Sequence, residues 1–457
     1  MQYPHLSIIT LSTRVKELTT PCDKVVMRPV LQVALDLIHQ KRALEIAAEA
    51  VEGGADWLEI GTPLMKSEGS EVIRAMRRRF PKVKIVADTK TMDVGAFEVE
   101  IIAKAGADVM TVMGLADDGT IEEAVKTARR YGAEVMVDLM NVEDRVKRAQ
   151  EVEAMGASYL CMHMGVDQQM RGGKPPYEML KDVAKATGIP VAVAGGVSAE
   201  TAAKMLECGA SIIIVGGAII KADDVTAATR TIREAIDTGS TVESEFSRKY
   251  AEDELHIAFS KVSSCNVADA QHKTGVMRGI VPRIKHGTRV AGRALTVQTA
   301  NGDWAKPVEA IDHAKEGDVI VVDVGGGEVA IWGELATHSA MNRGVRALVV
   351  DGAVRDIDDI MDLEFPIFSR HIAPDAGEPK GFGGIGHEIR VGGQVVRTGD
   401  WIVADESGIV VVEREHAVEV ANRSLDVHER ETRIREEIRR GSSLSIVGEL
   451  ERWEQVR

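Results

Sequence analysis

Short runs of apolar, often β-branched residues alternate with longer amphipathic stretches from residue 30 to about residue 237. The stretches between the runs, such as 41–53, 67–79 and 223–237, are rich in Ala, Glu, Lys and Arg at helical spacing. This alternation predicts parallel strands joined by covering helices. Eight such strands close a (β/α)8 TIM barrel. The eight predicted strands are VLQVALDL (30–37), DWLEIGTP (56–63), VKIVADTK (83–90), DVMTVMGL (108–115), AEVMVDLM (133–140), SYLCMHMG (158–165), PVAVAGGV (190–197) and SIIIVGGAI (211–219).

The pattern changes after the barrel. Residues 238–256 are polar and charged, which indicates a linker that runs into a first helix. From residue 257 to residue 457, β-rich runs broken by glycine alternate with predicted helices, so a separate compact α/β domain is expected. Residues 1–29 form an N-terminal extension without a motif. The predicted helices of the second domain are 305–315, 334–343 and 416–440, and its strands lie in TRVAGRALTVQTA, GDVIVVDVGGGEVAIWG, VRALVVDGAVRD, FPIFSRHIAP and GDWIVADESGIVVVE.

Charge and cysteine content narrow the classes of partner and compartment. A net charge of −15 without a basic block argues against a nucleic-acid partner. The four cysteines are far apart and form no CxxC pair, which argues against a disulfide framework or a structural zinc site and fits a reducing cytoplasm. No apolar stretch approaches the ~20 residues that span a bilayer, and residues 1–29 lack a signal peptide. We therefore expect a soluble cytoplasmic protein that binds neither nucleic acid nor membrane.

Polar residues and glycine pairs stand at the predicted strand ends of the barrel. In this fold the chemistry lies where strands end and the following loops begin. Strands seven and eight end in Gly195-Gly196 and Gly216-Gly217, where backbone N–H groups can approach a phosphate. Each polar residue alone is more often a helix cap or salt-bridge partner, but their joint placement on one rim predicts a site. The polar residues at the other strand ends are Asp36, Glu59, Asp88, Lys90, Asp93, Asp138 and His163.

These residue types suit the chemistry of a carbanion next to a carbonyl group. The developing enolate oxygen needs a cation, which Lys90 together with Mg²⁺ can supply. Glu59 and Asp88, on adjacent strands, offer the hard oxygen ligands that Mg²⁺ prefers. A proton must also move to or from carbon, and His163 titrates in the useful range. Flanking carboxylates, Asp88 and Asp93, are expected to hold Lys90 charged and oriented.

The segments LQVALDL, EIGTPL, ADTKTMD, HMGVDQQ, AGGV and IVGGAI carry a family resemblance over residues 30–237. They resemble the hexulose-6-phosphate synthase and 3-keto-gulonate-6-phosphate decarboxylase group of the orotidine-monophosphate decarboxylase superfamily. The most specific element is D-x-K-x-x-D at 88–93. The resemblance implies a lyase in a homodimer whose active sites lie at the subunit interface. The roles it implies are substrate contact for Asp36, Mg²⁺ binding for Glu59 and Asp88, enediolate stabilisation for Lys90, proton transfer for His163 and action in the neighbouring subunit's site for Asp93.

Two reactions share this scaffold within the group. The first is the reversible aldol addition of formaldehyde to ribulose 5-phosphate, and the second is decarboxylation of 3-keto-L-gulonate 6-phosphate. Decarboxylases of the group tend to carry arginine near the histidine segment and in the last phosphate loop. This chain has HMGVDQQ and Gly216-Gly217 at those places, which favours the synthase reaction.

The second domain carries its own candidate site. A glycine-rich turn before a helix offers N–H groups to a carboxylate or phosphate, an arginine can grip a carboxylate in bidentate fashion, and an aspartate can hold a divalent cation. An ordinary strand-helix turn and a surface Arg-Asp pair are the alternative interpretations. The candidate residues are Gly325, Gly326, Gly327, Glu328, Trp332, Arg355, Asp356 and Asp359.

A second resemblance covers about 257–420. The segments SSCNVADA, GGGEVAIWGELAT, DGAVRD and RTGDWIVADESGIVVV resemble the family shared by 4-hydroxy-4-methyl-2-oxoglutarate aldolases and the regulators of ribonuclease E activity. This implies either a second lyase, with a divalent cation at the Arg-Asp pair, or a binding module that regulates another protein. It also implies a trimer or hexamer, which, combined with a barrel dimer, predicts a higher homo-oligomer. The final segment HERETRIREEIRRG is predicted to be a helix with a solvated charged face.

Overall fold

The computed structural model describes residues 28–173, 177–242, 248–448 and 450. Nearly all of the predicted N-terminal extension and part of the predicted linker lie outside these residues. Within the described part of the chain, no helix is both long and apolar enough to cross a membrane.

The first domain is a closed barrel of eight parallel strands in sequence order, with the first strand paired to the eighth. The predicted (β/α)8 fold is therefore confirmed. Seven of the eight strands are shorter than their predicted segments, because several of the polar residues and all of the glycines at the strand ends lie beyond the hydrogen-bonded ladder. The third strand keeps its predicted length and is shifted by one residue along the chain. The strands are β1 (Val30–Leu35), β2 (Trp57–Ile60), β3 (Lys84–Thr91), β4 (Val109–Met113), β5 (Glu134–Asp138), β6 (Tyr159–His163), β7 (Val191–Ala194) and β8 (Ile212–Val215).

Helices cover the outside of the barrel. The segment 67–79, predicted as one helix, is divided between two, because Gly69 adopts a left-handed φ of 63° and ends the first of them. The described helices of this domain are α1 (Gln40–Glu52), α2 (Thr62–Glu68), α3 (Glu71–Arg79), α4 (Gly95–Ala105), α5 (Asp118–Tyr131), α6 (Arg145–Ala154), α7 (Val166–Met170), α8 (Tyr177–Ala186), α9 (Ala202–Glu207), α10 (Gly217–Ile220) and α11 (Val225–Thr238).

Strand periodicity places the polar residues in the open mouth of the barrel. Val86, Met136 and Cys161 belong to the apolar cluster that fills the barrel interior. Because alternate residues of a strand face the same side, the residues two positions further along point inward as well, one layer nearer the carboxyl end. These residues are Asp88, Asp138 and His163.

The second domain has its own sheet, with strand order β18-β17-β10-β11-β12-β13-β9 and β14 paired to β10, and separate apolar clusters on the two faces of the sheet. The predicted separate α/β domain is confirmed. Its described strands are β9 (Val281–Arg283), β10 (Val290–Gln298), β11 (Val319–Ala330), β12 (Ala347–Val354), β13 (Ile367–Ile372), β14 (Gly384–Ile385), β15 (Ile389–Val391), β16 (Gln394–Val396), β17 (Trp401–Asp405) and β18 (Gly408–Val412). Its described helices are α12 (Leu255–Ser260), α13 (Ser264–Ala270), α14 (Ala305–His313), α15 (Glu334–Asn342), α16 (Ile357–Asp362), α17 (Ala417–Arg439) and α18 (Leu444–Val447). Short 3₁₀ turns lie at Glu252–Glu254 and Arg414–His416.

Helix α17 joins the two domains. Its apolar residues, among them Val420, Ala421 and Leu425, pack in a core cluster of the second domain. The expected solvated charged face is present at Arg430, Arg435 and Arg439, but the helix also has a buried charged side, because Arg433 and Glu437 pack against the barrel. Arg433 makes a bidentate pair with Glu49 of α1, and Arg42 makes one with Glu437. Charged side chains are tolerated in such an interface when they are paired and hydrogen-bonded.

Candidate active site

Lys90 lies at the centre of the barrel mouth. The ladder between β3 and β4 shifts register between Ala87 and Thr91, and Lys90 takes a left-handed φ of 47°, an uncommon conformation for a residue other than glycine. Its Nζ lies 2.9 Å from Asp88 Oδ2 and 3.4 Å from Asp138 Oδ2. Burial alone would lower the pKa of Lys90, but these carboxylates raise it above its usual value, so the side chain is a fixed ammonium group.

His163 and Asp138 form a hydrogen-bonded pair beside the lysine. His163 Nδ1 lies 2.7 Å from Asp138 Oδ2, and Asp138 also accepts the backbone N–H of Met140 at 2.9 Å. Burial would raise the pKa of Asp138, but His163 and Lys90 lower it below its usual value, so Asp138 is a carboxylate and accepts from Nδ1–H. The other ring nitrogen, Nε2, then carries the lone pair and is free to take a proton.

Two hydroxyl groups hold Asp88. Thr62 donates to Asp88 Oδ2 at 2.6 Å, and Thr111 donates to Oδ1 at 2.8 Å. Thr111 also accepts the backbone N–H of Lys90 at 3.1 Å. These bonds fix the carboxylate and tie it to the bulge that presents the lysine.

Glu59 and Asp36 make the other side of the mouth acidic. Burial, then Asp88 and then Asp36 raise the pKa of Glu59 well above its usual value, and burial followed by Asp88 raises that of Asp36. Gln32 donates to Glu59 Oε2 at 2.5 Å. A Cβ on Gly61 would stand 2.2 Å from Asp36 Oδ1, so a larger residue there would displace the Asp36 carboxylate.

The acidic side fits a divalent cation. Among the described residues, no group of three or more His, Cys, Asp or Glu side chains lies close enough to hold a metal by itself. Glu59 and Asp88 nevertheless face each other closely enough to disfavour ionisation of Glu59, an excess of negative charge that a cation relieves. Mg²⁺ commonly takes one or two carboxylates and completes its shell with water and substrate oxygens. Glu59 and Asp88 therefore fit as its protein ligands.

Asp93 is not part of this cluster. Strand β3 ends at Thr91, and Asp93 lies in the loop leading to α4, where it is exposed and accepts the N–H of Val94 at 2.7 Å. The expectation that Asp93 flanks Lys90 within one chain is wrong, and Asp138 takes that position instead. Any role for Asp93 in the site of a second subunit stays a prediction.

The glycine pairs lie at the ends of β7 and β8. Gly195 and Gly196 have left-handed φ values of 94° and 70°, and a Cβ on Gly195 would stand 2.2 Å from the carbonyl oxygen of Met164. A Cβ on Gly216 would stand 3.3 Å from Asp36 Oδ2. The second pair, Gly216 and Gly217, thus borders the acidic side of the mouth.

In the second domain, the glycine segment lies within a strand. The ladder between β11 and β12 shifts register on both sides of Gly327, and Gly325 and Gly326 have positive φ values. The predicted turn directly before a helix is therefore a bulged strand, with Glu328 exposed on it, and α15 begins only at Glu334. Glycine permits this distortion without steric cost.

Arg355 and Asp356 follow the carboxyl end of β12 and lie beside the first turn of α15. Asp356 has a left-handed φ of 55°, and its Oδ2 accepts the N–H of Glu334 at 3.1 Å and pairs with Arg355 Nε at 3.4 Å. Asp359 lies on α16, exposed to solvent. Trp332 is buried in the core and donates to Thr337, which is a structural contact.

Residues 29–232 match the family model described as "Orotidine 5'-phosphate decarboxylase / HUMPS family". A 3-hexulose-6-phosphate synthase of Mycobacterium gastri is 45% identical over 206 residues, which are 45% of this chain and 99% of that protein. The chain belongs to the 3-hexulose-6-phosphate synthase family. The crystal structure of a 3-hexulose-6-phosphate synthase is 45% identical to this chain, covers 45% of it and 99% of its own chain, and has a TM-score of 0.44. A crystal structure of KGPDC from Streptococcus mutans covers 46% of this chain and 99% of its own at 30% identity, also with a TM-score of 0.44.

The two-family composition of the chain is confirmed as well. Residues 264–411 match the RraA-like family model described as "Aldolase/RraA". The expected fusion of a synthase-family barrel to an RraA-like domain therefore holds, and with it the assignment of the barrel to a lyase-type enzyme family.

Sequence reasoning left out side chains that the synthase-family barrel brings to the centre. Asp138 stood at a strand end without a role, yet it contacts both Lys90 and His163. Nothing in the sequence pattern marked Thr62 and Thr111 as site residues, because a hydroxyl in a buried strand or at the start of a helix is common in any barrel. The position of Asp138 on the inward-facing register of β5 was the available signal.

Proposed function

We propose that the barrel is a 3-hexulose-6-phosphate synthase, which catalyses the reversible, Mg²⁺-dependent aldol addition of formaldehyde to D-ribulose 5-phosphate. The observation that carries the proposal is the contact of one carboxylate, Asp138, with both Lys90 and His163 at the barrel mouth. This arrangement places a fixed cation and a proton acceptor side by side, which enediolate chemistry requires.

Deprotonation of the substrate falls to His163. Its Nε2 takes a proton from C1 of ribulose 5-phosphate, and the electron pair of the C–H bond moves into the enediolate. Asp138 stabilises the imidazolium that forms, as a carboxylate on Nδ1–H does. The enediolate then attacks the carbon of formaldehyde, a C–C bond forms, and the resulting alkoxide recovers a proton from the imidazolium. Atoms and charge balance over the cycle, and the reverse sequence releases formaldehyde.

Lys90 stabilises the negative charge that develops on the enediolate oxygens. Its ammonium group is held in place by Asp88 and Asp138 before substrate arrives, so it needs no reorganisation during the reaction. A divalent cation held by Glu59 and Asp88 would polarise the carbonyl and hydroxyl oxygens of the bound sugar. Asp36, beside Glu59, faces the same space and is assigned to the sugar hydroxyls.

The phosphate group of the sugar is assigned to the glycine pairs of β7 and β8, Gly195-Gly196 and Gly216-Gly217. Their backbone lacks Cβ atoms, so N–H groups can approach phosphate oxygens closely. The phosphate would then lie at the ends of β7 and β8, between His163 of β6 and Asp36 of β1 in the strand order of the barrel.

Incubation of the purified full chain with ribulose 5-phosphate and formaldehyde tests this function. We expect formaldehyde consumption that requires Mg²⁺, stops with EDTA and returns when Mg²⁺ is restored. Unchanged formaldehyde under these conditions would overturn the assignment. Release of CO2 from 3-keto-L-gulonate 6-phosphate by the same preparation would identify the decarboxylase instead.

For the second domain we propose a divalent-cation-dependent lyase that acts on a small carboxylate, with Arg355 on the carboxylate and Asp356 on the cation. The left-handed backbone at Asp356 supports this, because strain in a non-glycine residue concentrates at functional sites. Pyruvate release from 4-hydroxy-4-methyl-2-oxoglutarate, compared between the native chain and Asp356→Ala, tests it. Equal background in both proteins would favour a regulatory binding module.

A further inference from the structure

Helix α17 of the second domain lies along the phosphate side of the barrel mouth. Near its start, Asn422 donates to the carbonyl oxygen of Met170 at 3.2 Å, and Arg423 pairs with Asp167 at 2.9 Å. Both partners belong to α7, which follows β6. One helical turn further on, Asp426 forms an ion pair with Lys221, directly after α10. The helix thus holds the loops on either side of β7.

Lys221 folds back over the last glycine loop of the barrel. A Cβ built on Gly217 would stand 3.3 Å from Lys221 Nζ and 3.5 Å from its Cε, so the ammonium group lies directly above the glycine backbone. Burial raises the pKa of Asp36 in the mouth, and the charge of Lys221 opposes that rise. The ammonium group is therefore within reach of a ligand bound at Gly216 and Gly217.

Asp426 is not the partner of Lys221 alone. Arg430 donates to its second oxygen at 3.1 Å, and Lys249 acts on it electrostatically. The negative charge of Asp426 is therefore divided among Lys221, Lys249 and Arg430. A cation whose counter-ion is shared in this way can also attract the negative charge of a phosphate.

We propose that Lys221 is a further binding residue for the substrate phosphate and that Asp426 of the second domain is its positioning residue. The inference rests on the proposed phosphate site of the barrel. It gives the second domain a part in substrate binding by the first, because the carboxylate that orients Lys221 belongs to a helix of the second domain's core.

Steady-state kinetics on the full chain separates this role from a merely structural one. We expect Lys221→Met to raise the KM for ribulose 5-phosphate about tenfold or more, the worth of one charge-assisted contact, while kcat changes little. Lys221→Arg should restore most of the loss, since guanidinium also binds phosphate. Asp426→Asn should raise KM less than Lys221→Met does, again with kcat nearly unchanged.

Glu437→Gln is the matched control. It makes the same acid-to-amide change on the same helix, at an ion pair with Arg42 of α1 rather than at the phosphate loop. KM should stay at the native value in this variant, and thermal unfolding should confirm that all four variants fold. Calorimetric titration with inorganic phosphate gives a second readout, in which Lys221→Met should bind more weakly than the native chain.

The outcomes distinguish the two proposals. A native chain that consumes no formaldehyde contradicts the synthase assignment, and phosphate titration still tests Lys221. An active native chain whose KM and phosphate affinity are unchanged in Lys221→Met overturns the present inference and leaves the synthase assignment standing. Equal rises in KM for Asp426→Asn and Glu437→Gln overturn the positioning role of Asp426.

Discussion

Asp138 carries more of the active-site geometry than any other single residue of the mouth. It sets the tautomer of His163 and, with Asp88, fixes the ammonium group of Lys90, so one buried carboxylate organises both the base and the cation. Burial would raise the pKa of Asp138, but those two neighbours lower it below its usual value, so Asp138 is ionised at neutral pH.

Replacement of Asp138 by Asn should therefore lower kcat about a hundredfold or more, because His163 loses the tautomer that exposes a basic Nε2. The KM for ribulose 5-phosphate should change little, since the phosphate contacts are untouched. Asp144→Asn is the control in the same loop: Asp144 caps α6 by accepting from Lys147, and Asn caps equally well. Similar kcat values for the two variants would contradict the role of Asp138.

The pKa of Glu59 is shifted in the opposite direction from that of Asp138. Its pKa is raised by burial and by Asp88 and Asp36, so in the folded protein it resists ionisation. Its contribution to stability is full below the ordinary Glu pKa of about 4.3 and is lost as the pH rises through the raised folded value. A functional carboxylate with a raised pKa therefore lowers the stability of the fold at neutral pH.

Glu59→Gln should accordingly raise the Tm of the EDTA-treated protein at neutral pH and abolish activity. The gain should shrink as the pH falls toward 4, where Glu59 itself is neutral. A thermal melt series from pH 4 to pH 8 measures this, at roughly 2–4 °C for each kcal/mol recovered in a domain of this size. A variant less stable than the native protein at pH 7 would contradict the sign of the shift.

Helix α17 shows how one element serves two domains. Its apolar face completes a core cluster of the second domain, and its charged face meets the barrel over about 30 Å, from Glu419 to Arg440, at 1.5 Å per residue. Charges spaced four residues apart, at Arg433 and Glu437, fall on one side of the helix and therefore on one interface. Paired charges are therefore a main part of the contact between the domains at this helix.

Arg433→Ala should lower the free energy of unfolding by about 3 kcal/mol, because it leaves Glu49 and Glu437 short of a partner in a buried interface. Arg435→Ala, two residues along the helix, removes a half-exposed pair with Glu431 and should cost less than about 0.5 kcal/mol. Urea unfolding of both variants makes the comparison. Equal costs would mean that the interface contributes nothing beyond surface pairing.

At the scale of the whole molecule, apolar side chains remain uncovered on both domains. Phe97 on α4 is 65% exposed beside exposed Val94 and next to Asp93, and Leu335 on α15 of the second domain is 80% exposed. Exposed apolar patches of this kind mark association surfaces. We predict that the first surface serves the predicted barrel dimer and the second serves the predicted assembly of the second domain.

Phe97→Glu and Leu335→Glu should therefore each disrupt a different contact of the oligomer. Sedimentation analysis should show the loss of the barrel dimer in the first variant and of the second domain's assembly in the second, since a buried carboxylate is costly in an apolar contact. Each variant is the control for the other. A native chain that sediments as a monomer would contradict the predicted assembly.

Periodicity and strand-end chemistry alone determined much of this protein. Eight apolar runs with helical spacing between them predicted the barrel, and the strand-end positions of Glu59, Asp88, Lys90 and His163 predicted that these residues share its mouth. These features follow from the strand and helix repeats, which are local properties of the chain.

Only the tertiary structure decided which neighbours complete the site. Lys90 has Asp138 rather than Asp93 as its neighbour, and Lys221 pairs with Asp426. One charged side of α17 is buried. Each of these features depends on contacts between segments that are distant in the sequence. A charged residue on a helix has the same sequence pattern whether it meets water or another domain, because its exposure depends on what packs against it and not on its own spacing.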